Sequence, residues 1–418
     1  MFALVDAVAF YASAEKVFDP SLRKKPVVVL TNNDGCICAV CPIARQLNIP
    51  KFLPYFQVKD YLAQHQVVIR SSNYELYADL SERMMNVIAE FGDDHHVYSI
   101  DEAFLQFSGY QYCIKDWMEY GQRIRQRVWR ETKLPVGVGF GSTATLAKAA
   151  NHAAKKLSGF TGVAIINTES NRKAILTRMA VTDVWGVGRR LGKRLNLIGI
   201  DNAWQLAQQP SKRMRQQFGV VMERVVAELN GEACLEWDEV PQIKKEIFST
   251  RSFGERINDY QALRSALMNH GATVARKLRK QRSLAKQLLI FASSSVHQEP
   301  YYKKSLVHQF TVATANTQTF AEAIERALTV IYQPNVQFYK CGIGAIELMS
   351  GQFYQGDLFN QHDENEPLMR CIDGINQRFG QDTLYSASQQ MRTNWHMKRA
   401  FLSPHYTTRW QDVPKIQC

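Results

Sequence analysis

The stretch YSIDEAFLQF, residues 98–107, places two carboxylates, Asp101 and Glu102, side by side in an otherwise apolar run. Such a run is typical of a buried β-strand. Burying an unpaired carboxylate is costly, so a carboxylate inside a protein normally has a partner. The stretch therefore predicts either a strand whose acidic pair has a specific role or an exposed hairpin tip with solvated charges.

The first predicted strand, FALVD at residues 2–6, ends in a third carboxylate, Asp6. If the two strands are neighbours in one sheet, Asp6 lies close to Asp101 and Glu102. Three converging carboxylates repel one another unless a divalent cation neutralises them, and hard oxygen ligands of this kind suit Mg²⁺. Alternation sends Asp101 and Glu102 to opposite faces, so both reach one site only if the strand ends or bends there. The residues alone leave the metal site and the hairpin tip as open alternatives.

The order of predicted elements indicates several domains, as expected for a chain of 418 residues. The first part alternates strands with helices and is typical of an α/β domain. Residues 168–235 are helical and basic, and residues 244–349 follow the strand-helix-strand-strand-helix-strand order of a split β-α-β repeat. In the first part, strands are predicted at 2–6, 26–30, 67–72, 97–107, 135–141 and 162–166, and helices at 74–92 and 143–157.

The composition indicates a polyanionic partner. The formal net charge is +12 and the pI is about 9.2, which favours binding to a phosphate backbone. The chain has no apolar run long enough for a membrane span and no basic signal-peptide start, so we expect a cytoplasmic protein with no membrane partner. Cys36, Cys38 and Cys41 have a spacing that suits zinc, but no second ligand pair follows, which favours small core residues.

Two basic segments are candidates for phosphate contacts, although an exposed lysine on a helix is ordinarily solvated. In LAKAANHAAKKL, residues 146–157, positions 148, 151, 152 and 155 share one helix face, so Lys148 and Lys155 project together. In VWGVGRRLGKRLNLIGI, residues 184–200, the G-x-G-x-x-x-G spacing does not fit a dinucleotide site. A glycine-rich turn between helices instead leaves backbone N–H groups free to bind a DNA phosphate.

Several blocks of the sequence resemble the motifs of Y-family, lesion-bypass DNA polymerases. They are LVDAVAFYASAE, NNDGC, SSNYELYADLS, YSIDEAFL, VGVGF with LAKAANHAAKK, DVWGVGRRL, RSFGERI and the tail WHMKRAFLSPHYTTR. These blocks extend over most of the chain and are most similar to the UmuC-like subgroup of bacterial polymerases. The resemblance implies a multidomain α/β and α+β right-hand polymerase. Its expected parts are a palm at 1–10 and 73–167, fingers at 11–72, a helix-hairpin-helix thumb at 168–236, a split β-α-β little finger at 243–350 and a tail at 351–418.

The resemblance assigns the catalytic carboxylates. Asp6, Asp101 and Glu102, with the carbonyl oxygen of Ala7, are expected to hold two Mg²⁺ ions. One ion activates the primer 3′-hydroxyl and the other stabilises the triphosphate and the leaving pyrophosphate.

The resemblance also assigns the nucleotide site. Tyr11 is expected to be the steric gate that collides with a ribose 2′-hydroxyl, and Phe10 is expected to pack against the sugar. Arg45 and Lys155 are expected to contact the triphosphate.

DNA and clamp contacts complete the expected sites. The tail peptide QGDLF, through Gln355, Leu358 and Phe359, resembles the peptide that binds the sliding clamp. The alternative for this peptide is a linker whose apolar side chains tuck onto the domain. The expected DNA-binding residues, including the basic little-finger residues, are Lys148, Gly186, Gly188, Arg189, Arg190, Lys193, Arg251 and Arg256.

The implied function is error-prone, template-directed DNA synthesis past lesions in the SOS response. Expected partners are primer-template DNA, deoxynucleoside triphosphates, the clamp, a processed UmuD-like dimer and a RecA filament, at the bacterial nucleoid. The alternative is a catalytically impaired scaffold that binds DNA and the clamp. The intact carboxylates favour catalysis. Departures from the family pattern keep the scaffold alternative open, and they lie at Val8, Val40, Pro42, Asn48, Gln106 and Ala144.

Overall fold

The computed structural model describes residues 1–235, 243–352, 365–380, 382–389 and 397–415. The chain forms two compact units. The N-terminal unit comprises Met1–Trp237 together with Arg399–Cys418, and the C-terminal unit comprises Asp238–Lys398. Within the described ranges, no helix combines the length and the apolar character needed to span a bilayer.

The strands and helices of these ranges are as follows. The strands are β1 Phe2–Ala7, β2 Val27–Leu30, β3 Ile37–Val40, β4 Val68–Ser71, β5 Asp94–Val97, β6 Glu102–Gln106, β7 Val136–Gly141, β8 Val163–Ile166, β9 Ile247–Ile257, β10 Ser283–Ser293, β11 Lys303–Thr314 and β12 Phe338–Ser350. The helices are α1 Phe10–Ala14, α2 Pro42–Arg45, α3 Tyr55–Gln64, α4 Tyr74–Ala89, α5 Trp117–Thr132, α6 Ala144–Lys156, α7 Glu169–Thr177, α8 Arg189–Asn196, α9 Ala203–Ala207, α10 Ser211–Phe218, α11 Val220–Leu229, α12 Tyr260–Gln281, α13 Thr317–Ile331 and α14 Glu366–Phe379.

A five-stranded sheet in the order β5-β6-β1-β7-β8 forms the centre of the N-terminal unit. The apolar β1 lies between β6 and β7 and is antiparallel to both. The predicted single strand over 97–107 is wrong, because the chain makes the hairpin β5-β6. The backbone N–H groups of Tyr98 and Ser99 both donate to the carbonyl of Glu102, which closes the turn and places the acidic pair at the start of β6.

Glycines in β7 allow α6 to lie directly on the sheet. A Cβ added at Gly139 would be 2.0 Å from the backbone nitrogen of Asn151, and one added at Gly141 would be 2.5 Å from that of Ala147. Only a residue without a side chain permits this approach. The alanine-rich face of α6 is therefore held against β7, and the lysines of this helix are carried to the edge of the sheet.

A smaller sheet in the order β3-β2-β4 precedes α4 in the chain. Its central strand, Val27–Leu30, is fully buried and pairs in parallel with β4. Side chains of this sheet and of the five-stranded sheet share one hydrophobic core. The region from α7 to α11 is helical, as predicted, and its buried leucines and valines form a second core with the alanines of α6.

The C-terminal unit contains a four-stranded antiparallel sheet in the order β11-β10-β12-β9. Helices α12 and α13 pack against it and supply much of its hydrophobic core. The order of its elements, strand, helix, strand, strand, helix, strand, is the one predicted from the sequence. Helix α14 follows, and its Asp373 accepts two hydrogen bonds from the guanidinium of Arg279 on α12, at 2.7 and 2.8 Å.

Candidate active site

The three predicted carboxylates come together at one edge of the five-stranded sheet. Asp6 of β1 stands opposite Glu102 of β6 in the antiparallel register. The backbone N–H of Ala7 donates to the carbonyl of Asp101 at 2.9 Å, which holds the turn of the hairpin against the end of β1. The turn of the hairpin is the bend that Asp101 and Glu102 require in order to lie at the same site.

Each carboxylate has a partner in the protein. The Oδ2 atom of Asp6 lies 2.5 Å from Nζ of Lys155. Both carboxylate oxygens of Glu102 accept hydrogen bonds from Lys148, at 2.9 and 3.1 Å. The Oδ1 atom of Asp101 accepts a hydrogen bond from the hydroxyl of Ser99 at 2.7 Å. Two of the three negative charges are therefore neutralised by lysines of α6.

The pKa of Asp6 reports the electrostatics of this edge. Burial raises the pKa of Asp6 above its ordinary value, and the charges of Asp101 and Glu102 raise it further. The ammonium of Lys155 acts in the opposite direction. Burial thus disfavours the charged form of Asp6, and a neighbouring cation, here the ammonium of Lys155, offsets part of that cost.

The carboxylate oxygens are suitable ligands for a hard divalent cation. In the ranges that the structure describes, however, no group of three or more His, Cys, Asp or Glu side chains has the spacing of a metal site. Lysine ammoniums bind Asp6 and Glu102 instead. The metal-ligand set of Asp6, Ala7, Asp101 and Glu102 remains a prediction that fits the donor chemistry.

Helix α6 presents Lys148 and Lys155 on one face, as the spacing predicts. Between them, the amide nitrogen of Asn151 donates to the carbonyls of Leu4 and Gly137, which fixes the helix across β1 and β7. A Cβ added at Gly137 would be 2.6 Å from Cγ of Lys155, so this glycine makes room for the lysine stem.

The ammonium of Lys148 is held by an aromatic pair. It lies 4.7 Å from the ring centre of Tyr98 and 5.1 Å from that of Trp185, and the indole of Trp185 donates to the hydroxyl of Tyr98 at 3.2 Å. These contacts and the bond to Glu102 occupy the ammonium that was predicted to contact DNA phosphates. The phosphate contact of Lys148 stays a prediction.

Tyr11 and Phe10 have different environments. Helix α1 begins at Phe10 after Ala9, which adopts a left-handed backbone conformation. Tyr11 is half-buried, and its ring stacks on that of Tyr77 with centres 4.5 Å apart. Phe10 is only 3% exposed and belongs to the hydrophobic core. The ring of Phe10 thus packs in the core, and its contact with the nucleotide sugar remains a prediction.

Arg45 is exposed at the end of α2. Sequence reasoning missed a second cation nearby, Lys51. Burial lowers the pKa of Lys51, the charges of Arg45 and Lys155 lower it further, and the carboxylate of Asp101 raises it. Of the three carboxylates, Asp101 is thus the one whose charge acts on Lys51. A single lysine in NIPKF, residues 48–52, carries no sequence pattern that would have identified it.

The glycine-rich turn before α8 presents exposed charge. Gly186 has a φ of +87°, a backbone conformation that residues with a side chain rarely adopt. Gly188 is the N-cap residue of α8. The turn follows a short 3-10 helix at Val181–Asp183 and not an α-helix directly. The exposed basic residues that follow the turn are Arg189, Arg190, Lys193 and Arg194.

In the C-terminal unit, Arg251 and Arg256 are exposed on β9, the strand at one end of the sheet order. The guanidinium of Arg256 lies 4.3 Å from the ring centre of Tyr339. Arg279 on α12 binds Asp373 of α14 and is therefore already paired within the protein. The predicted clamp residues Gln355, Leu358 and Phe359 lie outside the described residues.

Comparison with solved structures shows the fold. A Y-family DNA polymerase chimera of Dbh and Dpo4 is 17% identical, with a TM-score of 0.63, and the match covers 84% of this chain and all of the other. An insertion ternary complex of Dbh DNA polymerase is 18% identical with a TM-score of 0.52, over 84% of this chain and all of the other. The chain has the fold of Y-family DNA polymerases, and the predicted fold class is confirmed.

Comparison with protein sequences gives the family. Models of the impB/mucB/samB family and of its C-terminal domain match residues 5–152 and 244–358, and a domain of unknown function matches 366–416. Protein SamB of Salmonella typhimurium is 39% identical over 99% of both chains. DNA polymerase IV 2 of Bacillus subtilis is 25% identical over 96% of this chain and 98% of the other.

Protein UmuC of Salmonella typhimurium strain LT2 is 41% identical over the full length of both chains. The predicted resemblance to the UmuC-like subgroup is confirmed. The full-length identity shows that the chain belongs to the impB/mucB/samB family, and the fold and the carboxylate edge agree with this assignment.

Proposed function

We propose that this protein is an error-prone, template-directed DNA polymerase that extends primers past damaged bases in the bacterial SOS response. The observation that carries the proposal is the register of Asp6 opposite Glu102, with Asp101 bonded to the end of the same strand through Ala7. This carboxylate edge occurs in a chain with the Y-family polymerase fold and 41% identity to UmuC.

The two units of the chain correspond to the parts of a right-hand polymerase. The five-stranded sheet is the palm, at 1–10 and 73–167, and the β3-β2-β4 sheet belongs to the fingers, at 11–72. Helices α7 to α11 form the thumb, at 168–236. The four-stranded sheet with α12 and α13 is the little finger, at 243–350, and residues 351–418 form the tail.

The reaction joins a deoxynucleotide to a primer. The primer 3′-oxygen attacks the α-phosphorus of the triphosphate, a phosphodiester bond forms, and the bond to pyrophosphate breaks. Two divalent cations, Mg²⁺ in this proposal, would be held by Asp6, Asp101 and Glu102 and by the carbonyl oxygen of Ala7. When bound, these ions would activate the 3′-hydroxyl and stabilise the leaving pyrophosphate.

The cations of the protein bind the triphosphate. Lys155 exchanges its bond to Asp6 for a phosphate oxygen, which frees the carboxylate of Asp6. Arg45 and Lys51, whose charges act on each other, add positive charge from the fingers. Tyr11, supported by the ring of Tyr77, is the steric gate that excludes ribonucleotides.

DNA is held without base contacts, as translesion synthesis on any sequence requires. Backbone N–H groups at the glycine turn and neighbouring basic side chains bind the phosphates. The residues assigned to this grip are Lys148, Gly186, Gly188, Arg189, Arg190, Lys193, Arg251 and Arg256.

Further partners are proposed from the similarity to UmuC. The clamp peptide, with Gln355, Leu358 and Phe359, tethers the enzyme to the sliding clamp and offsets a weak intrinsic grip on DNA. A processed UmuD-like dimer and a RecA filament assist synthesis, and the protein works at the nucleoid.

Single-nucleotide primer extension with Mg²⁺ tests the proposal. The full chain is compared with Asp101→Ala and with the control Asp60→Ala, an exposed carboxylate on α3, on undamaged and abasic templates with clamp and processed partner present. Extension that disappears only in Asp101→Ala, while DNA binding persists, supports the polymerase. A folded wild-type chain that binds DNA and does not extend primers would establish the scaffold alternative.

A further inference from the structure

The end of the chain contacts the nucleotide-binding part of the molecule. The match to a domain of unknown function spans residues 366–416. Its last described part, residues 399–415, belongs to the N-terminal unit, whereas residues 366–389 belong to the C-terminal unit. We call residues 399–415 the return segment.

The return segment continues the hydrogen bonding of β4. The backbone N–H of Phe401 donates to the hydroxyl of Ser71 at 3.0 Å, and the N–H of Ser71 donates to the carbonyl of Phe401, also at 3.0 Å. The N–H of Ala400 donates to the carboxylate of Asp34 at 2.7 Å. Asp34 and Ser71 are buried and bonded to each other, since the Ser71 hydroxyl donates to Oδ1 of Asp34 at 2.6 Å, and the segment supplies further partners to both residues.

The segment also fixes the start of α4 through Asn73. The side-chain oxygen of Asn73 caps α4 by accepting from the N–H of Leu76. Its side-chain nitrogen donates to the carbonyl and hydroxyl oxygens of Ser403 and to the carbonyl of Pro404, at 3.0 to 3.2 Å. Asn73 is fully buried, so the return segment is bonded directly to the residue that caps α4.

A third contact reaches the carboxylate of Glu15, which is only 2% exposed. Its Oε1 atom accepts hydrogen bonds from the hydroxyl of Ser403 at 3.1 Å and from that of Tyr77 at 2.6 Å. Arg70 lies 3.5 Å from the other carboxylate oxygen. A buried carboxylate must be bonded in this way, and the loss of one donor leaves it less well satisfied.

The network ends at Tyr11. Tyr77, held by Glu15, is fully buried and stacks on the ring of Tyr11 at an interplanar angle of 19°. Tyr74, on the same helix, contacts the ring of Tyr11 edge-on at 6.1 Å. Two tyrosines of α4 therefore set the position of Tyr11, and the return segment holds both α4 and Glu15.

We propose that the return segment is a positioning element for sugar selection: Ser403, acting through Glu15 and Tyr77, holds Tyr11 where it excludes a ribose 2′-hydroxyl. The inference rests on the proposed polymerase function and on the gate role of Tyr11. A steric gate works by distance, so a small displacement of its ring admits the extra oxygen while ordinary nucleotides still react. Ser403 is a positioning residue, because no step requires it to touch the substrate.

The test compares kcat/KM for deoxynucleotides and ribonucleotides in the full chain. Ser403→Ala removes one hydroxyl donor to Glu15 together with one acceptor of Asn73, and Tyr77→Phe removes the other hydroxyl donor while keeping the ring that supports Tyr11. The matched control is Ser265→Ala, because Ser265 is also a buried serine and lies in the C-terminal unit. Thermal unfolding of each variant confirms that it is folded.

Both test variants should lower the preference for deoxynucleotides by about 3- to 10-fold, less than the ~100-fold that a displacement of about 1 Å can cost. Ser265→Ala should leave the ratio unchanged. General destabilisation lowers both rates together and does not move the ratio. In a Tyr11→Ala background, Ser403→Ala should have no further effect on the ratio.

The outcomes separate the two proposals. If the wild-type chain does not polymerise, or if Tyr11→Ala leaves the ratio unchanged, the proposed function or its gate is wrong. If Tyr11→Ala changes the ratio while folded Ser403→Ala and Tyr77→Phe do not, the positioning role of the return segment is wrong and the polymerase proposal stands.

Discussion

Nζ of Lys155 lies 2.5 Å from Oδ2 of Asp6, so α6 supplies a cation to the carboxylate edge of the sheet. The neighbouring Lys156 points elsewhere and lies 3.4 Å from Asp183. Two adjacent lysines of one helix therefore have distinct surroundings, and they form a matched pair for substitution.

Lys155→Ala should raise KM for the incoming nucleotide about tenfold or more, because a charge-assisted hydrogen bond contributes roughly 1.5–3 kcal/mol. Steady-state incorporation at varied nucleotide concentration measures this effect. Lys156→Ala is the control and should leave KM within about twofold, the range of a surface ion pair. Equal increases in the two variants would remove Lys155 from the triphosphate site.

His270 should make the C-terminal unit sensitive to acid. Burial lowers the pKa of His270 to about 4 from 6.5, and the charges of Arg251 and Lys277 act in the same direction. The pKa of His270 is lower in the folded state than in the unfolded state. Its contribution to the free energy of unfolding is therefore complete above about pH 6.5 and is lost as the pH falls toward 4. The difference between the unfolded and folded pKa values corresponds to about 3 kcal/mol in the free energy of unfolding.

Denaturant unfolding at pH 7.5 and pH 4.5 measures this loss. His270→Gln should be less sensitive to pH than the wild type. His297→Gln, at an exposed histidine of the same unit, is the control and should keep the wild-type dependence. A pH dependence that is unchanged in His270→Gln would show that another group titrates.

Gly139→Ala should destabilise the N-terminal unit by about 3 kcal/mol through overpacking. The added Cβ would overlap the backbone of α6, which cannot yield as a flexible side chain can. Gly374→Ala on α14 is the control, because its Cβ meets nothing within 4 Å and alanine favours a helix. Unfolding by denaturant gives both values, and a loss below about 0.5 kcal/mol in Gly139→Ala would contradict the close approach of α6.

Replacing Leu358 and Phe359 with Ala should weaken clamp-dependent synthesis and leave distributive synthesis intact. The physical reason is that two apolar anchors supply most of the binding energy of such a peptide. Primer extension with and without loaded clamp measures the difference. Equal losses in both conditions would show that the peptide supports the fold and not the clamp contact.

The local features of this protein follow from its sequence. Apolar periodicity identified β1, β7 and α6, because burial of one face or of a whole strand leaves a regular pattern. The spacing of Lys148 and Lys155 placed both ammoniums on one face, and Asp6 at the end of a strand indicated the carboxylate edge. The family resemblance added the fold, which the structural comparisons confirm.

Tertiary structure decided the contacts between distant parts of the chain. The hairpin that places Asp101 and Glu102 at one edge depends on backbone bonds to the Glu102 carbonyl, which an apolar pattern does not encode. Lys51, whose pKa is lowered mainly by burial and raised by the charge of Asp101, lies in a loop without a motif. The return segment bonds Ser403 to Glu15 across 388 positions of sequence. Contacts between residues so far apart in sequence depend on which helices and strands pack together. Local sequence patterns therefore determined the helices and strands, and tertiary packing determined the contacts between them.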